Sequence, residues 1–544
     1  MSGLINFVIN VAAGLAGKSG WLNEKLSKVA VDLLVNAGRN RPHPWTTLYD
    51  YIGWRGLTDR TFSARMLPPK LASRPLPDIA NEVVPLFVHG PEGQRPCPKS
   101  TMLFPAFAQY LTDGFIRTLL SNLNVQEDRR RTTSNHEIDQ SPLYGRTLDQ
   151  TNALRLNSNE RGKRGRLKSQ TINGEEFSPF LYLADGKTPN PEFVGANGRC
   201  VLDEPLGLFL DDGSFRPHVA VATLFAAGGD RVNASPQVAM INTLFLREHN
   251  RLAGMLDANH PDWDDERVFE TARNISIVMF IKLVVEEYIN HISPAPLYLQ
   301  MLPQVAWRAK WNRPNWITAE FSLLYRWHPL IPETVIWGGK QVSGATLLLN
   351  NQVVLDDGLS NAFVDISSNG ATRLSLHNSA NFMLFAEAKA VNQARKNRIA
   401  PYNDYRAAMS MSRAASFADV VGRSKDPVEQ ARRDSLAAEL QALYGSVDNL
   451  EFYVGLFAEP TQTNGVLPDL LQAMVAMDAF SQALTNPLLS EHVWGDEANR
   501  RLTFTDEGLA ALKATTTLRD VLERNSKGLG DRFVGMTRRD WKRS

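Results

Sequence analysis

The sequence predicts a mainly α-helical protein. One large helical domain spans residues 45–544, and a short N-terminal amphipathic helical segment occupies residues 1–44. Three observations carry this expectation. Apolar residues recur at helical spacing, with few breakers, over 236–256 and 266–292. Strand-like runs are short and scattered, the clearest being Thr334, Val335, Ile336 and Trp337 before Gly338 and Gly339. The 544 residues are 43% hydrophobic and include 11 tryptophans, enough to bury a large core around a bulky cofactor.

Taken in order, residues 4–16 are almost wholly apolar or small, too few to span a bilayer. No Lys or Arg precedes them, which makes them a poor signal peptide. Over 21–35, Leu22, Leu26, Val29, Leu33 and Leu34 keep helical spacing, with Lys25 and Lys28 among them. Two readings fit that pattern: helices docked on the core, or a foot lying in a membrane interface. The run Arg39-Asn40-Arg41-Pro42-His43-Pro44 breaks the helical pattern and marks the boundary. Residues 125–170 are polar and carry Asp128-Arg129-Arg130-Arg131 and Arg161-Gly162-Lys163-Arg164-Gly165-Arg166. A formal net charge of +1 gives no whole-protein attraction to nucleic acid, so this stretch reads as a solvated loop wrapping the domain and no nucleic-acid partner is expected.

The helix over 266–292 opens at Asp262-Trp263-Asp264-Asp265-Glu266, an acidic start that favours capping over a metal site. Residues 435–444 and 467–484 also read as helices. Cys97 and Cys200 lack metal-ligand spacing; they exclude a disulfide framework but not one bridge. No repeat, phosphate-cradling loop or strand-linked Gly-x-Gly-x-x-Gly is present.

Tyr325 and His328 stand three residues apart in the apolar run Ala319 to Pro329. Helical spacing places them on neighbouring positions of one face. Such an imidazole suits an iron, with the phenol looking into an adjacent cavity. Spacing alone equally fits a core tyrosine beside a satisfied buried histidine.

Tyr325-Arg326-Trp327-His328-Pro329 resembles the Tyr-x-Trp-His-Pro motif of the animal-type haem peroxidase superfamily, on its cyclooxygenase and fatty-acid dioxygenase branch. The resemblance is collinear from Trp45 to Trp494. It takes in Asp50-Tyr51-Ile52-Gly53-Trp54, the run Ser63 to Pro69, the distal-helix run Phe107 to Phe115, Leu244 to Arg251, Glu439 to Gly445, and Glu451-Phe452-Tyr453. It implies a cyclooxygenase-like helical fold around haem, with His328 as proximal iron ligand. A ligating imidazole needs an acceptor for its other nitrogen. In mammalian peroxidases that acceptor is the asparagine of an Asn-x-x-Arg motif whose arginine meets a haem propionate. Asn392 and Arg395 match that motif, an exposed helix being the alternative.

On the distal side, Gln109 matches the ligand-positioning glutamine, but Asp113 stands where the family has its distal histidine. Loss of that imidazole is expected to weaken ordinary peroxidase chemistry, although a carboxylate also shuttles protons. Arg231 matches the distal arginine that stabilises developing negative charge; the alternative is that Asp113 and Arg231 form a mere buried pair. The two places that carry haem-esterifying carboxylates in mammalian peroxidases fall on Thr112 and Ala234, which implies a non-covalent haem b. Gly114 replaces a calcium-binding aspartate, and Asp139 and Ser141 resemble only part of the remaining loop, which leaves calcium in doubt.

The same resemblance makes Tyr325 the radical-bearing tyrosine and Tyr288 its hydrogen-bonding companion. Ile289, Ile292 and Ser293 would line an apolar substrate channel, with Ser481 as the channel serine. The family's carboxylate clamp is missing: its tyrosine falls on Ala295, and the nearest arginines are Arg39 and Arg41. A hydroperoxide is therefore expected rather than a prostaglandin. The implied activity is haem-dependent dioxygenation of a polyunsaturated fatty acid by O2 through a tyrosyl radical. The alternatives are a peroxidase or peroxygenase using Asp113 with peroxide, and a non-catalytic haem-binding protein. Eukaryotic cyclooxygenases carry a disulfide-rich module ahead of the catalytic domain, for which this sequence lacks the cysteines. That suits a reducing, cytoplasmic compartment, with peripheral membrane contact through residues 1–44. The oligomeric state is left open.

Overall fold

A computed structural model describes residues 20–36, 60–72, 74–118, 131–208 and 219–543. The boundary at 40–44, Arg39, Arg41, residues 4–16, the Asp50 to Trp54 motif and the charged run 128–130 lie outside the described residues.

The elements used below are the helices α1 (Gly20–Val35), α2 (Leu103–Asp113), α3 (Pro236–Asn259), α4 (Asp265–Leu283), α5 (Ala319–Leu324), α6 (Leu384–Lys396), α7 (Phe452–Ala458) and α8 (Asp469–Leu484). Strands are confined, among the described residues, to three antiparallel pairs: β1 (Pro96–Thr101) with β6 (Gly370–Thr372), β2 (Gln170–Ile172) with β3 (Glu175–Phe177), and β4 (Thr334–Trp337) with β5 (Lys340–Ser343). The mainly α expectation holds. The run around Trp337 forms a hairpin across Gly338 and Gly339, pairing Trp337 with Lys340.

At the centre lies α3, packed against α4 and buried nearly all round from Pro236 to Asn250. A helix without a wet face belongs in the middle of a large domain. Pro236 sits in its first turn, where a missing N–H costs nothing. The acidic run before α4 caps it: the Asp264 side chain accepts the Arg267 N–H at 2.8 Å, and Asp265 and Glu266 fill the first turn. The helical path continues to Ile292, but as a π turn over Val284–Ile289 followed by Asn290–Ile292. Apolar spacing does not distinguish such a widened turn from ordinary helix. The helix expected at 435–444 starts earlier, at Pro427, because Asp426 caps it and its first two turns are solvent-facing and polar.

The basic run 161–166 lies on the domain. Arg164 donates to the Pro261 and Trp263 carbonyls at 2.9 Å each, and Arg155 bonds to Asp265 and Glu266 at 2.7 and 2.6 Å. Gly165 makes the closest approach, at φ +66° and with room for no side chain: a Cβ there would stand 2.5 Å from Val268 Cγ1 and 2.7 Å from the Phe269 nitrogen. Gly165→Ala is therefore expected to cost about 2–3 kcal/mol, read as a lowered midpoint of thermal unfolding. An unchanged midpoint would show that the loop moves aside freely.

Helix α1 packs on α8 through Ala30, Val31 and Val35. Its outer face leaves Trp21, Val29 and Leu33 at 68, 57 and 50% exposure. Both readings of its amphipathic pattern thus find a face. No helix among the described residues is long and apolar enough to cross a membrane.

Candidate haem and oxygenation site

Helix α5 is capped by Thr318, whose hydroxyl accepts the Phe321 N–H at 3.0 Å. It ends at Leu324. Pro329 lacks an N–H, and its ring excludes a helical carbonyl four residues back, at Tyr325. The backbone accordingly leaves the helix at Tyr325 (φ −101°, ψ 22°) and re-forms one 3-10 turn over His328–Leu330. Tyr325 and His328 therefore do not share a helix face, contrary to the spacing-based expectation. The break turns them in different directions. The Tyr325 ring stacks on Trp327 at 4.7 Å and lies 4.9 Å from Phe321, while His328 turns toward α6.

His328 Nδ1 lies 3.3 Å from a carboxylate oxygen of Glu387. No hydrogen bond among the described residues uses its Nε2. Glu387 is fully buried, and accepts the Ser379 hydroxyl at 2.8 Å and the Tyr453 hydroxyl at 2.6 Å. The expected acceptor, Asn392, makes no such contact. It lies five residues further along α6, about 140° round the helix from Glu387. Arg395 is also committed elsewhere: its guanidinium grips Glu451 in two bonds of 2.7 and 2.9 Å, and Glu451 also accepts the Tyr444 hydroxyl.

Arg326 is a better placed cation, which motif matching passed over because it occupies the variable position. It donates to the Ser322 carbonyl at 3.1 Å and to Gln393 at 3.2 Å. Burial first, and then the neighbouring Arg231, lower its pKa to about 10. Two guanidinium groups that oppose each other in a buried region suit an anionic ligand edge such as a pair of propionates.

Gln109 and Asp113 are four residues apart on α2 and share a face. Asp113 is buried at the C-terminal end of the helix, with Arg231 Nη1 3.5 Å from Oδ1 and no hydrogen bond to either oxygen. Gly229 allows the covering loop this close: a Cβ at 229 would lie 3.0 Å from Asp113 Oδ2. Burial pushes the carboxyl well above its ordinary range, and Arg231 is the largest opposing influence. The Gln109 amide is half-buried and makes no hydrogen bond among the described residues. Thr112 donates back to the Ala108 carbonyl at 2.9 Å and, like Ala234, offers no carboxylate. Near Gly114, the Asp139 carboxylate accepts Asn135 at 2.7 Å and the Ser141 N–H at 2.8 Å. No group of three or more His, Cys, Asp or Glu suited to a metal ion occurs among the described residues.

These orphaned polar atoms fit haem. His328 offers an imidazole nitrogen without a partner, Asp113 and Arg231 a carboxyl beside an arginine, and Arg326 and Arg231 bring positive charge into the interior.

Tyr288 sits on the π turn, fully buried, with Phe104 and Phe107 each 5.5 Å from its ring. Burial raises the Tyr325 pKa above the usual phenol range, and Tyr288 offsets part of that rise. Both phenols thus hold their hydrogens across physiological pH. The two phenols lie close enough to interact, and the Tyr288 hydroxyl is buried with no other partner among the described residues. Ile289 and Ile292 are buried along the same stretch, and Ser293 is half-buried. Ser481 lies on α8, which packs against both α5 and the π turn. Its hydroxyl donates to its own helix, to the Met477 carbonyl at 3.0 Å, and not toward a channel. Ala295 has no polar side chain with which to hold a carboxylate.

The model of the family described as "Animal haem peroxidase" matches residues 98–533. Prostaglandin G/H synthase 2 of Equus caballus is 29% identical over 504 residues, 90% of this chain and 74% of that protein. Prostaglandin G/H synthase 1 of Rattus norvegicus is 30% identical over 470 residues, covering 83% and 70%. Among solved structures, fatty acid alpha-dioxygenase of Arabidopsis thaliana superposes with a TM-score of 0.67 at 14% identity, over 97% of this chain and 91% of that one. Peroxidase A from Dictyostelium discoideum gives 0.65 at 17% identity, over 88% and 95%. At those identities the structural likeness is one of fold. The match over most of the chain, with the two collinear relatives, makes this protein a member of the animal haem peroxidase family, on its cyclooxygenase and dioxygenase branch, and a haem-dependent oxidoreductase.

Proposed function

We propose that the protein converts a polyunsaturated fatty acid and O2 into a fatty-acid hydroperoxide through a radical on Tyr325. The observation that carries this reading is the placement of Tyr325. Its phenol, held protonated by burial, stacks on Trp327 directly beside the candidate iron ligand and neighbours Tyr288 in an apolar wall. The cofactor that fits is haem b bound without covalent links, which His328 would ligate through Nε2 and whose propionates Arg326 would meet. When bound, haem supplies the one-electron oxidising power that turns the Tyr325 phenol into its radical.

The chain's own residues then account for the reaction. The Tyr325 oxygen radical takes a hydrogen atom from a bis-allylic carbon, forming the O–H bond and leaving a carbon radical. O2 adds to that carbon. The resulting peroxyl takes the hydrogen atom back from Tyr325, which releases the hydroperoxide and regenerates the radical. Ile289 and Ile292 keep water from the carbon radical. Without the arginine–tyrosine clamp, the depth of the acyl chain is set by the apolar wall. The exposed Trp21, Val29 and Leu33 face of α1, with Lys25 and Lys28, supports a peripheral contact with the lipid surface that supplies the acid.

Asp113 and Arg231 support activation by peroxide. The carboxylate takes the hydroperoxide proton and returns it to the departing oxygen, whose negative charge Arg231 stabilises. Asp113→Asn is expected to slow the first change in the haem spectrum after peroxide mixing by about a hundredfold. The base works only when ionised. With its pKa raised by burial, the wild-type rate falls as pH drops through that raised value, and the Asn variant shows no such fall. Equal rates in both proteins would make Asp113 structural.

The distal carboxyl also favours a second reading, a peroxidase or peroxygenase in which Tyr325 only packs. Oxygen uptake with linoleate, set against peroxide-driven oxidation of a phenol, separates the two. Uptake that yields a hydroperoxide is expected. Phenol oxidation without uptake would establish the second reading, and neither activity would leave a haem-binding protein.

A further inference from the structure

We infer that Glu387 is the positioning residue for the iron ligand: it accepts the Nδ1 proton of His328, orients the ring, and directs Nε2 and electron density toward haem. This rests on the haem-binding reading above and assigns the partner that the Asn-x-x-Arg motif does not supply.

His328 Nδ1 is buried and makes no hydrogen bond, and a carboxylate oxygen of Glu387 stands 3.3 Å from it. A small rotation of the ring closes that contact. With the proton on Nδ1, the tautomer leaves the Nε2 lone pair for iron. Glu387 itself is fully buried with no Lys or Arg in ion-pair contact among the described residues. Such a carboxylate is costly to bury unless donors surround it. Two such donors are in place on separate elements, Ser379 on a loop and Tyr453 on α7, and His328 on the 3-10 turn stands beside the same carboxylate. The fold therefore converges on this one carboxylate.

A carboxylate behind a ligating histidine raises its basicity and tunes the metal. Added electron density from the proximal side favours O–O cleavage, as a more donating axial ligand does elsewhere in haem chemistry. That contribution has a specific use here, because the distal side offers Asp113 in place of an imidazole. A stronger push from Glu387 offsets a weaker pull from Asp113.

The test uses the full-length, haem-loaded protein. Glu387→Gln keeps the shape and removes the charge. It should raise the ferric/ferrous midpoint potential and lower the iron–histidine stretching frequency in resonance Raman spectra. Tyr453→Phe removes a donor from Glu387 and frees the carboxylate to pull harder on His328, so its potential should move the opposite way. Ser379→Ala should follow Tyr453→Phe, and these two decide the matter if Glu387→Gln fails to fold. Shifts of opposite sign support the inference. It is overturned by a haem-replete Glu387→Gln with unchanged potential and stretching frequency, or by displacement of all variants in one direction, which reports disturbed packing alone. A wild type that takes up no haem would overturn the haem reading itself, and the role of Glu387 with it.

Discussion

Replacing Tyr325 with phenylalanine is expected to abolish fatty-acid oxygenation while sparing fold, haem and peroxide reactivity. The ring keeps its stack on Trp327 and its contact with Phe321. The hydroxyl neighbours the neutral Tyr288 phenol, so its removal strands no charge. What disappears is the O–H bond that is made and broken in each turnover. Oxygen uptake with linoleate should fall by roughly three orders of magnitude or more, equivalent to about 4 kcal/mol of activation free energy. Peroxide-driven oxidation of a phenol, which uses Asp113, Arg231 and His328, should continue. Undiminished oxygen uptake in Tyr325→Phe would remove the radical role.

His328→Ala carries the second large effect. It deletes an imidazole whose Nε2 makes no hydrogen bond among the described residues, and haem should be lost or held through a different, spectrally distinct ligation. A loss of about 3 kcal/mol or more, two orders of magnitude in affinity, is expected. Circular dichroism should show the helices retained, since His328 lies in a single 3-10 turn and not within a long helix. Added imidazole should restore part of the haem spectrum by occupying the vacated space. Unchanged haem content and an unchanged spectrum would assign the axial ligand elsewhere.

Parts of this site were legible in the sequence because they depend on local spacing. Gln109 and Asp113 are one turn apart with no breaker between them, and the sequence alone places them on one face. The hairpin around Gly338 and Gly339, the cap at Asp264 and the long helices at 236 and 266 follow equally local rules. The helix break at Tyr325 follows from Pro329, a local rule that the apolar spacing of the same stretch does not express.

The approach of Glu387 to His328 could not be read from sequence. Glu387 lies 59 positions beyond His328, and only the packing of α6 on the 3-10 turn brings the two together. Asn392 sits on the same helix but faces elsewhere. Arg395 looked available because its partner, Glu451, comes 56 positions later. The π turn beneath Tyr288 carries the same apolar pattern as an ordinary helix, and its widening is visible only in three dimensions.

The central claim is that Tyr325 itself takes hydrogen from the fatty acid, and electron paramagnetic resonance tests it most directly. Haem-loaded protein mixed with hydroperoxide and freeze-quenched should give a tyrosyl signal. Anaerobic addition of linoleate should replace it with a carbon-centred pentadienyl signal, and Tyr325→Phe should give neither the original signal nor the conversion. A wild-type tyrosyl signal that persists in the presence of linoleate, or a pentadienyl signal of full intensity in Tyr325→Phe, would contradict the claim.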